Sequence, residues 1–219
     1  MWCVSDLDDA FIERMEDLLG LYERPRDVAA PVVCFDERPV QLLDNVRAPS
    51  RAKPGHPARY DYEYKRMGTA NVFCAVEPLV GRHYLKVTSD RGGREFALAL
   101  RDIARRYPRA NTIHLVMDNL NTHTKKSLIT HLGPKRGARL WHRFTVHYTP
   151  KHGSWLNQAE IEIGLLNRQS LGKRRIPTIT RLRRHVAVWE RAANDSRIRI
   201  RWTFTKRKAR QLFGYQASH

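Results

Sequence analysis

The sequence has few cysteines and no long apolar run, and both absences narrow its class. The 219 residues include three cysteines, an odd number without a Cys-x-x-Cys pair. We therefore expect neither a disulfide framework nor a structural zinc site, and we predict that Cys34 and Cys74, in apolar strand-like runs, are buried reduced thiols. No apolar run is long enough to span a bilayer, and the N-terminus lacks the basic-then-apolar pattern of a signal peptide. We expect a cytoplasmic protein.

Acidic residues are scarce relative to basic ones. Lys and Arg number 40 against 22 Asp and Glu, which gives a net charge of +18. The excess is concentrated near the C-terminus, where residues 173–210 carry 14 Lys or Arg and 2 acids, a net charge of +12. A basic footprint of this kind favours a polyanionic partner, and nucleic acid is the first candidate. The alternative is a solvated cationic protein without a specific partner.

Apolar periodicity and turn residues predict an α/β domain. Helical spacing predicts helices over 5–22, with Ser5 as the cap, 94–107, 124–132, 154–171 and 180–193. Short apolar runs predict strands over 32–36, 69–76, 83–87, 112–117 and 144–147. The first three strands suggest an antiparallel meander, and the later strands alternate with helices. This order predicts a mixed five-stranded sheet with helices on both faces, as in the ribonuclease-H-like fold.

Four further segments carry local signals. Residues 44–59, with three prolines and a glycine, predict a long polar loop and a candidate binding element. Residues 133–137, Gly-Pro-Lys-Arg-Gly, predict a basic turn, and Ser154 is expected to cap the helix that follows. Residues 197–202 alternate Arg with apolar residues, which predicts a strand with a DNA-facing side. A solvated basic tail is the alternative for that last segment.

Carboxylates stand at three points in this order. Asp36 and Glu37 close the first predicted strand, and because neighbouring strand residues point to opposite sides, only one of them is expected to face a site. Asp118 closes the fourth predicted strand, a frequent place for site residues in open α/β sheets, although Asp-Asn also suits a turn or a helix cap. Glu160 and Glu162 flank the buried stripe of the next helix on opposite sides, so periodicity does not choose between them.

Three carboxylates on separate elements have a clear chemical use. Gathered together they repel one another, and a cation between them relieves that repulsion. Ligands that offer only oxygen select hard divalent ions, above all Mg²⁺. A pair of such ions, about 3.5–4 Å apart, promotes in-line attack on a phosphodiester. The basic charge and the acidic trio therefore point together to metal-dependent chemistry on nucleic acid.

Four sequence blocks stand out: CFDE at 34–37, YDYEY at 60–64, MDNLNTH at 117–123 and YTPKHGSWLNQAE at 148–160. Together they resemble the bacterial insertion-sequence branch of the mariner-like DDE transposases. The blocks follow the family order across about residues 30 to 175. The resemblance places the family's catalytic and metal-binding triad on Asp36, Asp118 and Glu160, and so prefers these acids to Glu37 and Glu162.

The same resemblance carries further expectations. It implies two Mg²⁺ ions, which Mn²⁺ can replace, and double-stranded DNA as the partner, both as transposon ends and as target. Water would cut a strand first, and the freed 3′-hydroxyl would then attack target DNA without a covalent protein intermediate. It also implies a homodimer on DNA in a bacterial cytoplasm, in association with the nucleoid.

The N-terminal region departs from the family pattern. Full-length relatives carry helix-turn-helix modules that recognise transposon ends, whereas only about 30 residues precede the first predicted strand here. We therefore expect an N-terminal helix and linker over 1–30, a catalytic domain over 31–175 and a basic helix and tail over 176–219. A separate helix-turn-helix segment would then supply end recognition.

Polar residues around the acidic trio and in the basic tail are candidates for DNA contact. The set is Asn119, His123, Lys151, His152, Arg199, Arg201, Lys206, Arg207 and Lys208. For His123 the alternative is a capping and packing role, and Trp155 is expected to pack in the core rather than to stack on a base. Two other functions stay open: another ribonuclease-H-like nuclease, and a truncated DNA-binding remnant without catalysis.

Overall fold

A mixed sheet of five strands forms the centre of the protein. The structure is a computed structural model and describes residues 7–172 and 174–216. The strands are β1 (Val32–Asn45), β2 (Tyr64–Glu77), β3 (Arg82–Thr88), β4 (Ile113–Met117) and β5 (Phe144–Tyr148). Their order is β3-β2-β1-β4-β5. β1, β2 and β3 pair antiparallel, whereas β1 with β4 and β4 with β5 pair parallel. All five predicted strands are confirmed.

β1 and β2 are longer than their apolar cores predicted. Both have 14 residues, and their outer halves pair only with each other, beyond the parts that pair with β3 and β4. Residues 46–63 connect them as a loop, which agrees with the predicted loop over 44–59. Two isolated β-bridges, Ser50↔Arg59 and Lys53↔His56, fold this loop back on itself. The sequence predicted that this strand ends at Asp36, and this is wrong, because β1 continues to Asn45.

Helices cover both faces of the sheet because the strands are apolar on both faces. They are α1 (Asp9–Tyr22), α2 (Gly93–Arg106), α3 (Lys125–Leu132), α4 (Pro134–Trp141), α5 (Gln158–Leu166), α6 (Ile179–Ser196) and α7 (Lys206–Phe213). On one face, Val33 and Phe35 of β1 pack with α2 and α3. On the other face, Cys34 packs with α1, α5 and α7, and Val72 of β2 packs with α6. Cys34 and Cys74 are buried free thiols, as expected, and Cys3 lies outside the described residues.

The first helix begins later than predicted. Asp8 is its N-cap, and its carboxylate accepts a hydrogen bond from the backbone N–H of Phe11 at 2.7 Å. An aspartate is as good an N-cap as a serine, and its negative charge also interacts favourably with the positive N-terminal end of the helix dipole. Ser5, the predicted cap, lies outside the described residues.

The predicted basic turn at 133–137 is wrong, because this segment begins helix α4. Gly133, with φ of +85°, ends α3, and Pro134 then occupies the first turn of α4, a position where proline is favoured. Gly137 is a packing residue and not a turn residue. A Cβ on it would lie 2.5 Å from the carbonyl oxygen of Leu128, so glycine lets α4 cross close to α3.

The predicted helix over 154–171 is divided into three pieces. Ser154 starts a short 3-10 turn, Ser154–Leu156, and makes no capping hydrogen bond. Asn157 caps α5 instead, because its side-chain oxygen accepts from the N–H of Ala159 at 3.1 Å. The last turn, Asn167–Leu171, is a π-helix.

The predicted strand over 197–202 is also wrong. α6 runs to Ser196, and Arg197 becomes its left-handed cap with φ of +47°. One hydrogen bond, from the N–H of Ile200 to the carbonyl of Pro78 at 3.0 Å, holds the segment to the β2–β3 turn. Gly81 in that turn, with φ of +68°, permits the approach, since a Cβ there would overlap the carbonyl of Ile198. Alternation of residue types was misleading because no strand within residues 7–172 and 174–216 pairs with this segment.

An ion pair joins the two terminal helices. The guanidinium of Arg210 on α7 donates two hydrogen bonds to the carboxylate of Glu16 on α1, at 2.7 and 2.8 Å. These bonds hold the pKa of Glu16 below its ordinary value. Because the pKa is lowered on folding, the pair stabilises the protein above the unfolded pKa, and the contribution is lost as pH falls through the folded pKa.

We therefore expect Arg210→Gln to lower the free energy of unfolding slightly at neutral pH, because the pair is partly exposed and solvent weakens it. Urea unfolding of both proteins from neutral to acidic pH measures this, and the difference should vanish below the lowered pKa of Glu16. Arg184 on α6 is exposed and serves as the control. Arg184→Gln removes the same charge and should show no such pH dependence. A difference that persists unchanged into acid would contradict the assignment.

Candidate active site

Asp36 and Asp118 lie next to each other, just beyond the point where the pairing of β1 with β4 ends. The two strands pair in register from Val32↔His114 to Cys34↔Val116, and each aspartate stands two residues beyond that last pair. Parallel strands lie about 4.8 Å apart, and residues two apart share a face. The sheet therefore brings these two predicted residues together at one edge.

Glu37 points to the face of the sheet opposite Asp36. Its side chain is 3% exposed, and its Oε2 lies 3.3 Å from Nε2 of His123. His123 itself packs against Phe35 and Phe96 on the α2 side of the sheet. The expectation that Asp36 and Glu37 face opposite sides is confirmed, and Glu37 acts as a partner for His123.

The start of α5 brings Glu160 to the same edge. Asn157 is buried, and its amide donates to the backbone carbonyl of Phe35 on β1 at 2.8 Å while its oxygen caps α5. One side chain thus ties the first turn of α5 to the residue next to Asp36. Glu160 lies in that first turn and is exposed.

Glu162 is committed to a different contact. Its carboxylate is buried, and Oε2 lies 2.8 Å from Nε2 of His83 on β3. The His83 backbone is fixed in turn by the side chain of Asn194 on α6, which accepts from its N–H and donates to its carbonyl. Glu162 therefore holds α5 against β3, and Glu160 is the acid of this helix that stays available.

Three other carboxylates act on the ionisation of Asp36. Burial raises the pKa of Asp36 to about 7, and the negative charges of Glu37, Asp118 and Glu160 add to the rise, while a hydrogen bond from the N–H of Glu37 opposes it. Among the described residues, neither Asp36 nor Glu160 has a basic partner at salt-bridge distance. A partly buried carboxylate beside other carboxylates, without a basic partner, is a place where a cation is favoured.

His123 links Asp118 to the core. Its Nδ1 lies 2.5 Å from Oδ1 of Asp118, and its ring stacks on Phe96 with the centroids 4.6 Å apart. Burial disfavours the charged imidazolium, but the neighbouring carboxylates of Asp118 and Glu37 outweigh it and raise the pKa of His123 to about 9. His123 precedes α3 and does not lie within it. Since its side chain is 1% exposed, the packing role replaces the predicted DNA contact.

The acidic trio does not form a closed metal site. Over residues 7–172 and 174–216, no group of three or more His, Cys, Asp or Glu side chains is gathered tightly enough to hold a metal ion. One oxygen of Asp118 is directed to His123 instead. Carboxylates repel one another when no cation lies between them, so electrostatics favours acids that are neighbours but do not close into a site.

The helices give no candidate for a membrane span. Within residues 7–172 and 174–216, none is both long enough and apolar enough to pass through a bilayer.

The other predicted DNA-contact residues are mostly on the surface. Asn119, Lys151, His152, Arg199, Arg201, Arg207 and Lys208 are exposed. The backbone N–H of Lys206 donates to Glu23, which holds the start of α7 near the end of α1. The amino group of Lys208 donates to the carbonyl of Thr203 at 2.7 Å, a local contact with the segment before α7. Trp155 packs edge-on against Phe204, which confirms its predicted core position.

These features define the class of the protein. A mixed sheet of order β3-β2-β1-β4-β5 with helices on both faces is the ribonuclease-H-like fold, and its acidic side chains meet at the sheet edge shared by β1 and β4. The chain belongs to the DDE superfamily endonucleases, whose family model matches residues 31–183.

Solved structures of a mariner protein share this fold. The Mos1 mariner paired-end complex with Mn superposes with a TM-score of 0.58 and 17% sequence identity, covering 90% of this chain and 60% of that one. The Mos1 strand transfer complex gives a TM-score of 0.59 at 16% identity, covering 90% and 59%. This chain thus spans about 60% of the length of the Mos1 chains it matches. A comparison with curated proteins finds no match.

Two contacts of the site escaped the sequence analysis. Asparagine is a favoured N-cap residue, so Asn157 before α5 carries a local cap signal, whereas the prediction placed the cap at Ser154. The bridge from Glu37 through His123 to Asp118 has no local signal, because its members come from β1 and from the loop before α3.

Proposed function

We propose that this chain is the catalytic domain of a DDE transposase that cuts DNA at insertion-sequence ends and transfers the freed strand to target DNA. The observation that carries the proposal is the gathering of Asp36, Asp118 and Glu160 from β1, the end of β4 and the start of α5. Membership of the DDE superfamily endonucleases and the shared fold with Mos1 transpososomes support it.

The residues present fit a divalent cation by their chemistry. All three side chains offer carboxylate oxygen, which hard cations such as Mg²⁺ or Mn²⁺ prefer. Asp36, Asp118 and Glu160 would hold the ions, and Asp118 would do so with the oxygen not directed to His123. When bound, such ions activate the attacking oxygen and stabilise the leaving oxygen of a phosphodiester.

The remaining residues position this chemistry. Asn157 fixes the start of α5 relative to β1, and His123 restrains Asp118 from the opposite face of the sheet. Exposed basic residues on the loop before α5, Lys151 and His152, are suited to contact the phosphates that flank a scissile bond. The finer expectations, a bacterial insertion sequence, a homodimer on DNA and a separate end-recognition segment, belong to the same proposal.

Nicking of supercoiled plasmid DNA tests the proposal. We expect nicking with Mg²⁺ or Mn²⁺ and none with chelator, and we expect Asp118→Asn to reduce the rate about a thousandfold or more, since metal stabilisation of the transition state amounts to several kcal/mol. A gel assay of relaxed circles measures both rates, and circular dichroism confirms that the variant is folded. Nicking that survives in Asp118→Asn would overturn the assignment of the site. DNA binding without any nicking would favour the non-catalytic remnant.

A further inference from the structure

The hydroxyl group of Tyr22, at the end of α1, lies between two parts of the chain that carry site carboxylates. It donates a hydrogen bond to the backbone carbonyl of Leu156 at 2.8 Å, and the Sγ atom of Cys34 lies 3.5 Å from it. A hydroxyl has one proton to donate, and this one goes to Leu156, so the thiol of Cys34 is the donor in the longer contact. The contacts form a chain from β1 through α1 to the turn that precedes α5.

Both partners of this hydroxyl are close in sequence to a site carboxylate. Cys34 precedes Asp36 by two residues on β1, so their side chains lie on the same face of the sheet. Leu156 ends the 3-10 turn before α5, and Glu160 follows in the first turn of that helix. The place of Tyr22 therefore bears on the spacing between the strand that carries Asp36 and the helix that carries Glu160.

α1 is firmly attached to the rest of the protein. Met15 on this helix is fully buried, in the same apolar cluster as Leu156. At another point of the helix, Oδ2 of Asp17 lies 2.6 Å from Nδ1 of His147 on β5. Because the helix is held by both contacts, its last residue, Tyr22, is a fixed point from which a hydrogen bond can position a neighbouring turn.

The two groups of this chain stay neutral at working pH. Burial raises the pKa of Tyr22 well above its ordinary value, and the neighbouring thiol adds to the rise. Burial also raises the pKa of Cys34 to about 12. Each group therefore keeps the proton that it donates, and the chain brings no charge to the acidic edge.

The turn before α5 thus has two attachments from two different elements. Asn157 joins it to Phe35 on β1, and Tyr22 joins the preceding residue, Leu156, to α1. A turn held at one point can rotate about that point, whereas a second attachment at the neighbouring residue opposes the rotation. Glu160 lies only one helical turn further on, so such a rotation would move its carboxylate.

We propose that Tyr22 is a positioning residue that sets the spacing between Asp36 and Glu160 through its hydrogen bond to Leu156. The proposal rests on the proposed function for the use of that spacing, which is to receive divalent cations. Carboxylates that are already held in place need less ordering when a cation binds, so the Tyr22 hydroxyl should increase cation affinity.

Hydrogen exchange in the metal-free full chain tests the positioning directly. Tyr22→Phe keeps the ring and removes only the hydroxyl group. The amides of Leu156, Asn157 and Glu160 each bond within the turn. They should exchange about threefold faster or more in Tyr22→Phe, the order expected for the loss of one intramolecular hydrogen bond, and the amides of α2 should be unchanged.

Mn²⁺ binding tests the consequence for the site. Electron paramagnetic resonance of free Mn²⁺ gives the dissociation constant, and the loss of binding in Asp118→Asn assigns the bound ions to the acidic trio. We expect the dissociation constant to rise about threefold or more in Tyr22→Phe, in line with the lost hydrogen bond. In plasmid nicking, the variant should need more Mn²⁺ for half the maximal rate but approach the parent rate at saturation, because bound ions restore the spacing.

Tyr107→Phe is the matched control. The hydroxyl of Tyr107 also makes a hydrogen bond, to Oε2 of Glu77 at 3.0 Å. Tyr107 ends α2, which leads into the start of β4, whereas Asp118 follows the end of that strand. Both variants lose one tyrosine hydroxyl, but only Tyr22→Phe should change exchange over 154–160 and Mn²⁺ affinity.

The outcomes separate this inference from the proposed function. Unchanged exchange over 154–160 in Tyr22→Phe, or equal changes in Tyr107→Phe, would overturn the inference. Faster exchange with unchanged Mn²⁺ affinity would also overturn it, since Tyr22 would then hold the turn without setting the site. A parent protein without Asp118-dependent Mn²⁺ binding would refute the proposed function, and hydrogen exchange would then decide the positioning role alone.

Discussion

Replacing the two glutamates of α5 by alanine is expected to give opposite results. Glu160→Ala should abolish metal-dependent nicking, by about a thousandfold or more, and leave stability unchanged or slightly higher, because it removes an exposed charge that opposes ionisation of Asp36. Glu162→Ala should lower the free energy of unfolding by about 1–3 kcal/mol, since it leaves the buried Nε2 of His83 without a partner. Plasmid nicking and urea unfolding of each variant measure the two effects.

The two glutamates are matched controls for each other. They lie two residues apart on one helix and undergo the same substitution, so helix propensity does not distinguish them. Nicking by Glu162→Ala should be normalised to the folded fraction at the assay temperature, and it should then approach the parent rate. Loss of nicking in Glu162→Ala at full folding, together with retention in Glu160→Ala, would exchange the roles assigned to these acids.

Most of the sheet could be predicted from the sequence because its strands are dense apolar runs. Val33 and Phe35 on one side and Cys34 on the other are all buried, so both faces had to be covered by helices. The alternation of side chains also predicted that Asp36 and Glu37 face apart, and the contacts of Glu37 with His123 agree. These conclusions depend only on the apolar pattern and on the alternation of side chains along a strand, and both can be read from the sequence.

The errors come from signals whose meaning is set by distant contacts. Gly137 suggested a turn, but it lies within α4, where the absence of a side chain lets the helix approach the backbone of Leu128. The alternation over 197–202 suggested a strand, but α6 extends to Ser196 and the segment meets the β2–β3 turn instead of a strand. Tertiary packing overrides local propensity in both places.

The site was predicted less completely than the fold for the same reason. Periodicity left Glu160 and Glu162 equivalent, and the family resemblance chose between them. The structure adds a physical reason, because Glu162 is bound to His83 from β3, a residue far away in sequence. The hydrogen bond from Tyr22 to Leu156 also had no sequence signal, since the two residues are 134 positions apart.

His123→Ala is expected to be the most destabilising single change near the site, with a loss of about 3–5 kcal/mol in the free energy of unfolding. The substitution leaves the carboxylate of Glu37 buried, 3% exposed, without its cationic partner, and it opens a void against Phe96. Asp118 also loses the contact that restrains it, so nicking should fall even in the folded fraction. Urea unfolding at neutral pH measures the main effect.

A double-mutant cycle separates the buried charge from the void. Glu37→Gln added to His123→Ala removes the uncompensated carboxylate but not the cavity, so the double variant should be more stable than His123→Ala alone by about 1–3 kcal/mol. If the two losses instead add independently, Glu37 and His123 are not coupled. In that case the bridge from Glu37 through His123 to Asp118 would not be what restrains the catalytic aspartate, and packing of the imidazole on Phe96 alone would explain why His123 is buried there.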